Sequence, residues 1–286
     1  MLKKGWKMSS SRSKLKNKLF IVVVLFISSC SYSDSIKNQD NKIEQEPEIQ
    51  SDDDGMVLVH IPKGPFIMGS YSDDAYYDEI PEHEVNLDEY WIDKFEVTNA
   101  QYSLCVEAGF CTIPQYDSGH YFDPVYSDHP IVYVAWDQAR EYCKWTGREL
   151  PTEAQWEKAA RGIEGRTYPW GDDEPSLDLA NYLSVIKTTT IVGSYPDGAS
   201  NYGVMDMAGN VWEWVNDWYD DSYYYETKNL SINPQGPIGG ESHVIKGGAF
   251  NSSPWVLRSS TRMQSFGDPI SRDVGFRCVL NSILNK

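Results

Sequence analysis

Cys30, Cys105, Cys111, Cys143 and Cys278 are the residues in this chain with the widest choice of chemistry. A thiolate can bind a soft metal, attack an electrophile, or pair as a disulfide. A metal site has little support in the spacing. There is no Cys-x-x-Cys, and His60, His83, His120, His129 and His243 are scattered. Setting Cys30 apart leaves an even number, which in an oxidising compartment would pair. Four cysteines allow three pairings. Cys105 and Cys111 are close in sequence, at a helix end and the loop after it, and are expected to bond. Cys143 with Cys278 would then staple a helix to the last strand. No Ser/His/Asp order, Walker loop or dinucleotide fingerprint occurs.

The charge balance narrows the partners. The chain has 25 basic and 42 acidic residues, a formal net charge of −17. Seven basic residues and no acidic ones precede Ser28, so loss of that leader leaves −24. Nucleic acid, whose phosphates such a protein repels, is excluded as a partner. Divalent cations and cationic partners suit it better. With 286 residues and 41% hydrophobic content, the chain can bury the core of one large domain or two small ones.

The N-terminus reads as an address. Lys14 to Lys18 is basic, Leu19 to Ile27 is an unbroken apolar run, and Ser28, Ser29 and Cys30 follow. These are the parts of a secretory signal peptide, too short to span a bilayer as a helix. Ile27-Ser28-Ser29-Cys30 resembles the bacterial lipobox, whose cysteine is lipidated. Residues 1–29 are therefore expected to be a lipoprotein signal peptide, and Cys30 an anchor to the cell membrane. Ser31 to Gly55 is rich in Asn, Gln, Asp, Glu and Ser. It is too polar to offset its ordering entropy and is expected to be a disordered tether spanning about 25–30 Å. The folded domain would occupy residues 56–286, in the bacterial cell envelope, facing the periplasm or the exterior.

Within that domain, strands are expected at Met56–Ile61, near Gly64–Ser70, across His83–Ile92 with a slip, and at Ile131–Val134. Thr98 with Gln101, and Thr152 with Gln155, have capping-box spacing, so helices are expected after each. Another should run from Trp136 to Thr146, stopped by Gly147. Trp156, Ala159 and Ala160 would form the apolar face of the helix that ends near Arg161. After Gly162 the periodicity fades, but Trp170, Trp212, Trp214, Trp218 and Trp255 persist, as in a compact, loop-rich, indole-packed half. The expected class is α+β with low regular secondary structure.

Several segments in order resemble the formylglycine-generating enzyme (sulfatase-modifying factor) family. They include Phe66-Ile67-Met68-Gly69-Ser70, Glu79 to Val85, Glu96-Val97-Thr98-Asn99, and His129-Pro130 through Trp136. Tyr142-Cys143-Lys144-Trp145, Leu150 to Glu157 and Tyr168-Pro169-Trp170-Gly171 come next. Gly203 to Trp214, Gly247-Gly248-Ala249-Phe250 and Gly275-Phe276-Arg277-Cys278 complete the set. The resemblance implies a loop-rich fold related to the C-type lectins, and it supports the Cys143–Cys278 pairing.

It also implies what chemistry to look for. The family's oxidases convert a sulfatase cysteine to formylglycine with copper and oxygen, using two cysteines downstream of the Gly-Gly pair. Those positions here hold Ser252 and Leu257, neither a soft ligand, so copper is not expected. The resemblance further implies a Ca²⁺ site on the Asp206 and Glu213 side chains and the Gly209 and Val211 carbonyls, an all-oxygen set. A second calcium site, at Asn181 and the Tyr182 carbonyl, is not expected because its partner loop is shortened. Asn251, Ser252, Trp255 and Arg258 fall where the family's cleft lies and are the candidate ligand site. Arg258, Arg262 and Arg277 could each clamp a carboxylate, although an ion pair within the core is the commoner role. The leading expectation is a non-oxidase binding or scaffolding protein holding an envelope protein, peptide or glycan. The rival is an oxidase of the formylglycine-generating type or a related tailoring oxidase.

Overall fold

A computed structural model describes residues 47–281, apart from 115, 117–118, 229–231 and 268–270. The leader, Cys30 and the first part of the tether lie outside the described residues. The strands are β1 (Glu48–Gln50), β2 (Val57–Ile61), β3 (Gly64–Met68), β4 (His83–Leu87) and β5 (Tyr90–Asp93), then β6 (Trp212–Trp218), β7 (His243–Lys246), β8 (Arg262–Ser265), β9 (Val274–Phe276) and β10 (Val279–Leu280). The helices are α1 (Asn99–Glu107), α2 (Trp136–Trp145), α3 (Glu153–Arg161) and the short α4 (Tyr223–Thr227). There are two four-stranded sheets, in the orders β1-β2-β5-β10 and β8-β7-β6-β9, and a separate two-stranded β3–β4 hairpin inserted between β2 and β5. All pairings are antiparallel except β6 with β9. The fold is mixed, loop-rich α+β.

Both capping boxes form. Thr98 and Thr152 accept from the backbone N–H of Gln101 and Gln155, whose side chains return to the cap. Helix α3 is more deeply placed than a one-sided amphipathic reading allows. Glu153, Glu157, Lys158 and Arg161 are buried along with Trp156, Ala159 and Ala160. Each charge has a partner, as burial demands. Arg262 Nη2 donates to Glu153 Oε2 at 2.8 Å, and Lys246 Nζ lies 3.1 Å from Glu157 Oε2. Arg161 Nη1 is 3.0 Å from Glu157 Oε1, and Lys158 Nζ donates to the carbonyls of Pro62 and Gly64.

Both expected disulfides are present, Cys105–Cys111 and Cys143–Cys278. The second ties α2 to the segment between β9 and β10, inside the core cluster around Tyr102, Tyr142, Trp214 and Phe276.

Three expectations change. The ordered domain begins before Met56: Glu48–Gln50 pair with Val57–Val59. Asp54, expected in the tether, is buried, accepts from Tyr142 Oη at 2.7 Å, and pairs with Arg148, which also holds Asp93. Ile131–Val134 is not a strand, because Tyr133 takes φ +60° and breaks the extended run. The half after Gly162 is loop-rich, yet it carries a full four-stranded sheet.

Candidate functional site

The segment Gly247–Arg258 follows β7 directly. Gly247 and Gly248 both have positive φ, and a Cβ on Gly248 would sit 2.7 Å from Leu257 Cδ2. The Gly-Gly pair therefore lets the chain fold tightly over Leu257, which is fully buried with Tyr168, Ala180, Tyr182 and Ala208. Ser252 Oγ accepts from the Ala249 N–H at 2.9 Å, and the Ser252 carbonyl accepts from Leu183 N–H at 3.0 Å. A buried alkyl group and a hydroxyl engaged with backbone do not fit Cu(I), which needs soft donors. The four described cysteines are all oxidised as disulfides.

The four candidate ligand residues separate. Trp255 is 56% exposed and Asn251 is exposed, its Nδ2 donating to Asp273 Oδ2 at 2.8 Å. Ser252 is half-buried. Arg258 is buried, its guanidinium closed on Glu79 by two 2.7 Å bonds, so it is not free to clamp a ligand in this arrangement. Arg277 and Arg262 are likewise core ion-pair residues, held by Glu213 and Glu153.

The expected calcium segment forms a tight loop leading into β6. Asp206 and Asn210 have positive φ, and a Cβ on Gly209 would meet the Asn181 carbonyl at 2.5 Å. Glu213 is fully buried and accepts from Arg277 through both oxygens, at 2.6 and 2.7 Å, and from Trp156 Nε1 at 2.8 Å. Asp206 is buried and accepts from Gly193 N–H at 2.6 Å. Burial raises its pKa to about 6, with the Glu213 charge adding to the rise. Glu96, at the entry to α1, is the third carboxylate here. Its Oε2 accepts from Asn210 Nδ2 at 2.7 Å, and burial, then Asp206 and Glu213, push its pKa well up. The carboxylate and carbonyl oxygens are all hard donors, so the set fits Ca²⁺ in its chemistry, although both Glu213 oxygens are already engaged by Arg277. Among the described residues, however, no three His, Cys, Asp or Glu side chains converge in metal-ligating geometry. The site would rest on two side chains and two carbonyls, with Glu96 close behind. Glu96 opens the segment Glu96-Val97-Thr98-Asn99, whose local sequence signal is only the capping box that follows it.

Comparison with known proteins bears on the family and the fold. Residues 42–282 match the family model for the sulfatase-modifying factor enzyme 1-like domain. The chain is 35% identical over 251 residues to a serine/threonine-protein kinase pkn1 of Chlamydia caviae, covering 82% of this chain but 40% of that protein. The chain thus spans well under half the length of this relative. It is 32% identical to the formylglycine-generating enzyme of Streptomyces coelicolor, covering 77% of this chain and 88% of that enzyme. Among solved structures, PvdO from Pseudomonas aeruginosa superposes with a TM-score of 0.69 at 26% identity, over 84% of this chain and 99% of that one. With the Gly-Gly turn, the Asp206–Glu213 loop and the α2-to-C-terminus disulfide all in place, the chain belongs to the sulfatase-modifying factor, or formylglycine-generating enzyme, family.

Proposed function

We propose that this is a ligand-binding member of the family, held to a bacterial membrane through a lipid on Cys30, with no copper oxidase activity. One observation carries the reading: the positions of the two copper cysteines are a backbone-engaged Ser252 and a core-packed Leu257. Among the described residues no thiolate can be recruited without breaking a disulfide. Calcium at Asp206, Gly209, Val211 and Glu213 would serve structure, by fixing the loop that enters β6. The occupant would be an envelope protein, peptide or glycan.

The test is direct. Residues 31–286 are incubated in air with copper and a peptide containing Cys-x-Pro-x-Arg, alongside a two-cysteine formylglycine-generating enzyme. Mass spectrometry then follows loss of the thiol to aldehyde. No conversion, with the control active, is the expected outcome; conversion overturns the reading. Metabolic labelling with a fatty-acid analogue tests the anchor, and Cys30→Ala should abolish the label.

A further inference from the structure

A cavity of about 250 Å³ lies beside the Gly-Gly segment, lined by His120, Tyr126, Tyr133, Lys187, Thr188, Thr189, Phe250 and Arg272. Of residues 247–258 only Phe250 reaches it. Among the described residues its lining holds two permanent cations, one histidine and three aromatic rings, and no carboxylate. That is the opposite of the surrounding molecule, which carries −17 overall. A local cationic pocket on an acidic protein is a selective place for an anion.

The pocket is assembled from separate stretches of chain, and each is pinned. Tyr133 N–H donates to the Ser271 carbonyl at 3.1 Å, bringing Tyr133 and Arg272 together. Ser184 N–H donates to the Phe250 carbonyl at 2.7 Å, setting the Lys187 loop against Phe250. Thr189 is buried and hydrogen-bonds His129 Nδ1 at 2.9 Å, while the Tyr126 ring stacks on His120 with centroids 3.8 Å apart. The Arg272 guanidinium carbon sits 5.4 Å from the Phe250 ring centre, a cation–π placement that orients its fork. Two of the lining residues, Tyr133 and Lys187, have φ of +60° and +68°. Left-handed backbone at bulky side chains costs free energy, and such residues gather where a ligand is held.

We propose that this cavity binds a small ligand bearing an oxyanion on a flat ring, the anion taken by Lys187 and Arg272 and the ring packed among Tyr133, Tyr126 and Phe250. This goes beyond the binding reading above, as a separate small-ligand site that stands whether or not that reading does. The volume of about 250 Å³, just below the usual ligand-site range of about 300–1,000 Å³, has room for no more than a single ring with its charged group. An arginine fork suits a planar carboxylate or sulfonate, and lysine adds a point charge. The Arg-bearing motif that the family's oxidases recognise would meet repulsion here.

The test uses benzoate and benzenesulfonate as probes and benzamide as the uncharged ring control, added to ¹⁵N-labelled residues 31–286. Benzoate or benzenesulfonate should shift the amides of Thr188, Thr189 and Phe250 with a Kd on the order of 1 mM, weakening as salt rises. Benzamide should bind at least about tenfold more weakly, as expected when a charge-assisted bond is lost. Binding by only one anion would identify the ligand's charged group as carboxylate or as sulfonate-like. Lys187→Gln with Arg272→Gln should lower anion affinity about tenfold or more while leaving the melting temperature in place. Equal binding of benzamide, no shift by either anion at about 20 mM, or unchanged affinity in the double variant overturns the proposal. None of those results touches the copper assay, whose outcome is read separately.

Discussion

Arg258 and Glu79, 179 positions apart in sequence, form a two-pronged buried ion pair, each prong 2.7 Å long. Ser260 Oγ adds a third 2.7 Å bond to the same carboxylate. The pair fastens the turn Tyr77–Glu79 before β4 to the chain just after Leu257. Arg258→Met would leave Glu79 charged and unpaired in the core, so it should cost about 3–5 kcal/mol of stability by urea unfolding. The double variant Arg258→Met with Glu79→Leu should recover most of that loss, since both buried charges are gone. A ligand clamp would behave otherwise: Arg258→Met would spare stability and cost binding.

The two disulfides should differ in weight. Cys143–Cys278 closes a loop of 135 residues and Cys105–Cys111 one of 6. Chain-entropy reasoning assigns about 5 kcal/mol to the first and about 2 to the second. Cys143→Ala with Cys278→Ala should therefore lower the urea midpoint far more than Cys105→Ala with Cys111→Ala. Equal losses would mean that local packing, not loop closure, sets their value.

His243 lies between two indoles, with ring centres 3.9 Å from Trp136 and 3.8 Å from Trp218. Burial depresses its pKa to about 4. The unfolded chain, with an ordinary histidine near 6.5, takes up the proton first as pH falls. Stability from His243 is thus fully present above about pH 6.5 and is lost as pH drops towards 4. His243→Phe keeps the ring stack and removes the titration. Melting temperatures of the two proteins should converge with falling pH, the wild type losing more; parallel curves would refute the assignment.

The helices were legible in the sequence because their signals are local. Thr98–Gln101 and Thr152–Gln155 each decide a helix start within four residues. The Cys105–Cys111 bond was legible for the same reason. Strands β6 to β9 were hidden, because Trp212–Trp218 is mostly buried on both faces and so lacks alternation. Tyr133 reads as strand in sequence because its left-handed turn depends on contacts with the 271 region, far along the chain. The site divides in the same way. Ser252 and Leu257 could be located by counting from Gly247-Gly248, whereas Glu96 joins Asp206 and Glu213 only once the fold brings α1 to β6. Arg258 could not be assigned until Glu79 was seen opposite it.

The carboxylate group around Asp206 supplies the last prediction. If calcium binds there, it must displace protons held by Asp206, whose pKa burial lifts to about 6, and by Glu96, whose pKa burial also raises. Calcium titrated near pH 6 should therefore release protons, seen as a buffer-dependent heat in calorimetry. At calcium one hundred times its Kd the folded state gains about 2.7 kcal/mol, a rise of roughly 5–10 °C in melting temperature. Asp206→Ala, which removes the ligand oxygen altogether, should remove that rise and leave the Glu213–Arg277 pair intact. Magnesium should not replace calcium, because two carboxylates and two carbonyls in a loop give it no regular octahedron. No thermal shift with calcium, or an equal shift in Asp206→Ala, would leave Asp206 and Glu96 holding protons beside the Glu213–Arg277 pair as the resting state of this core.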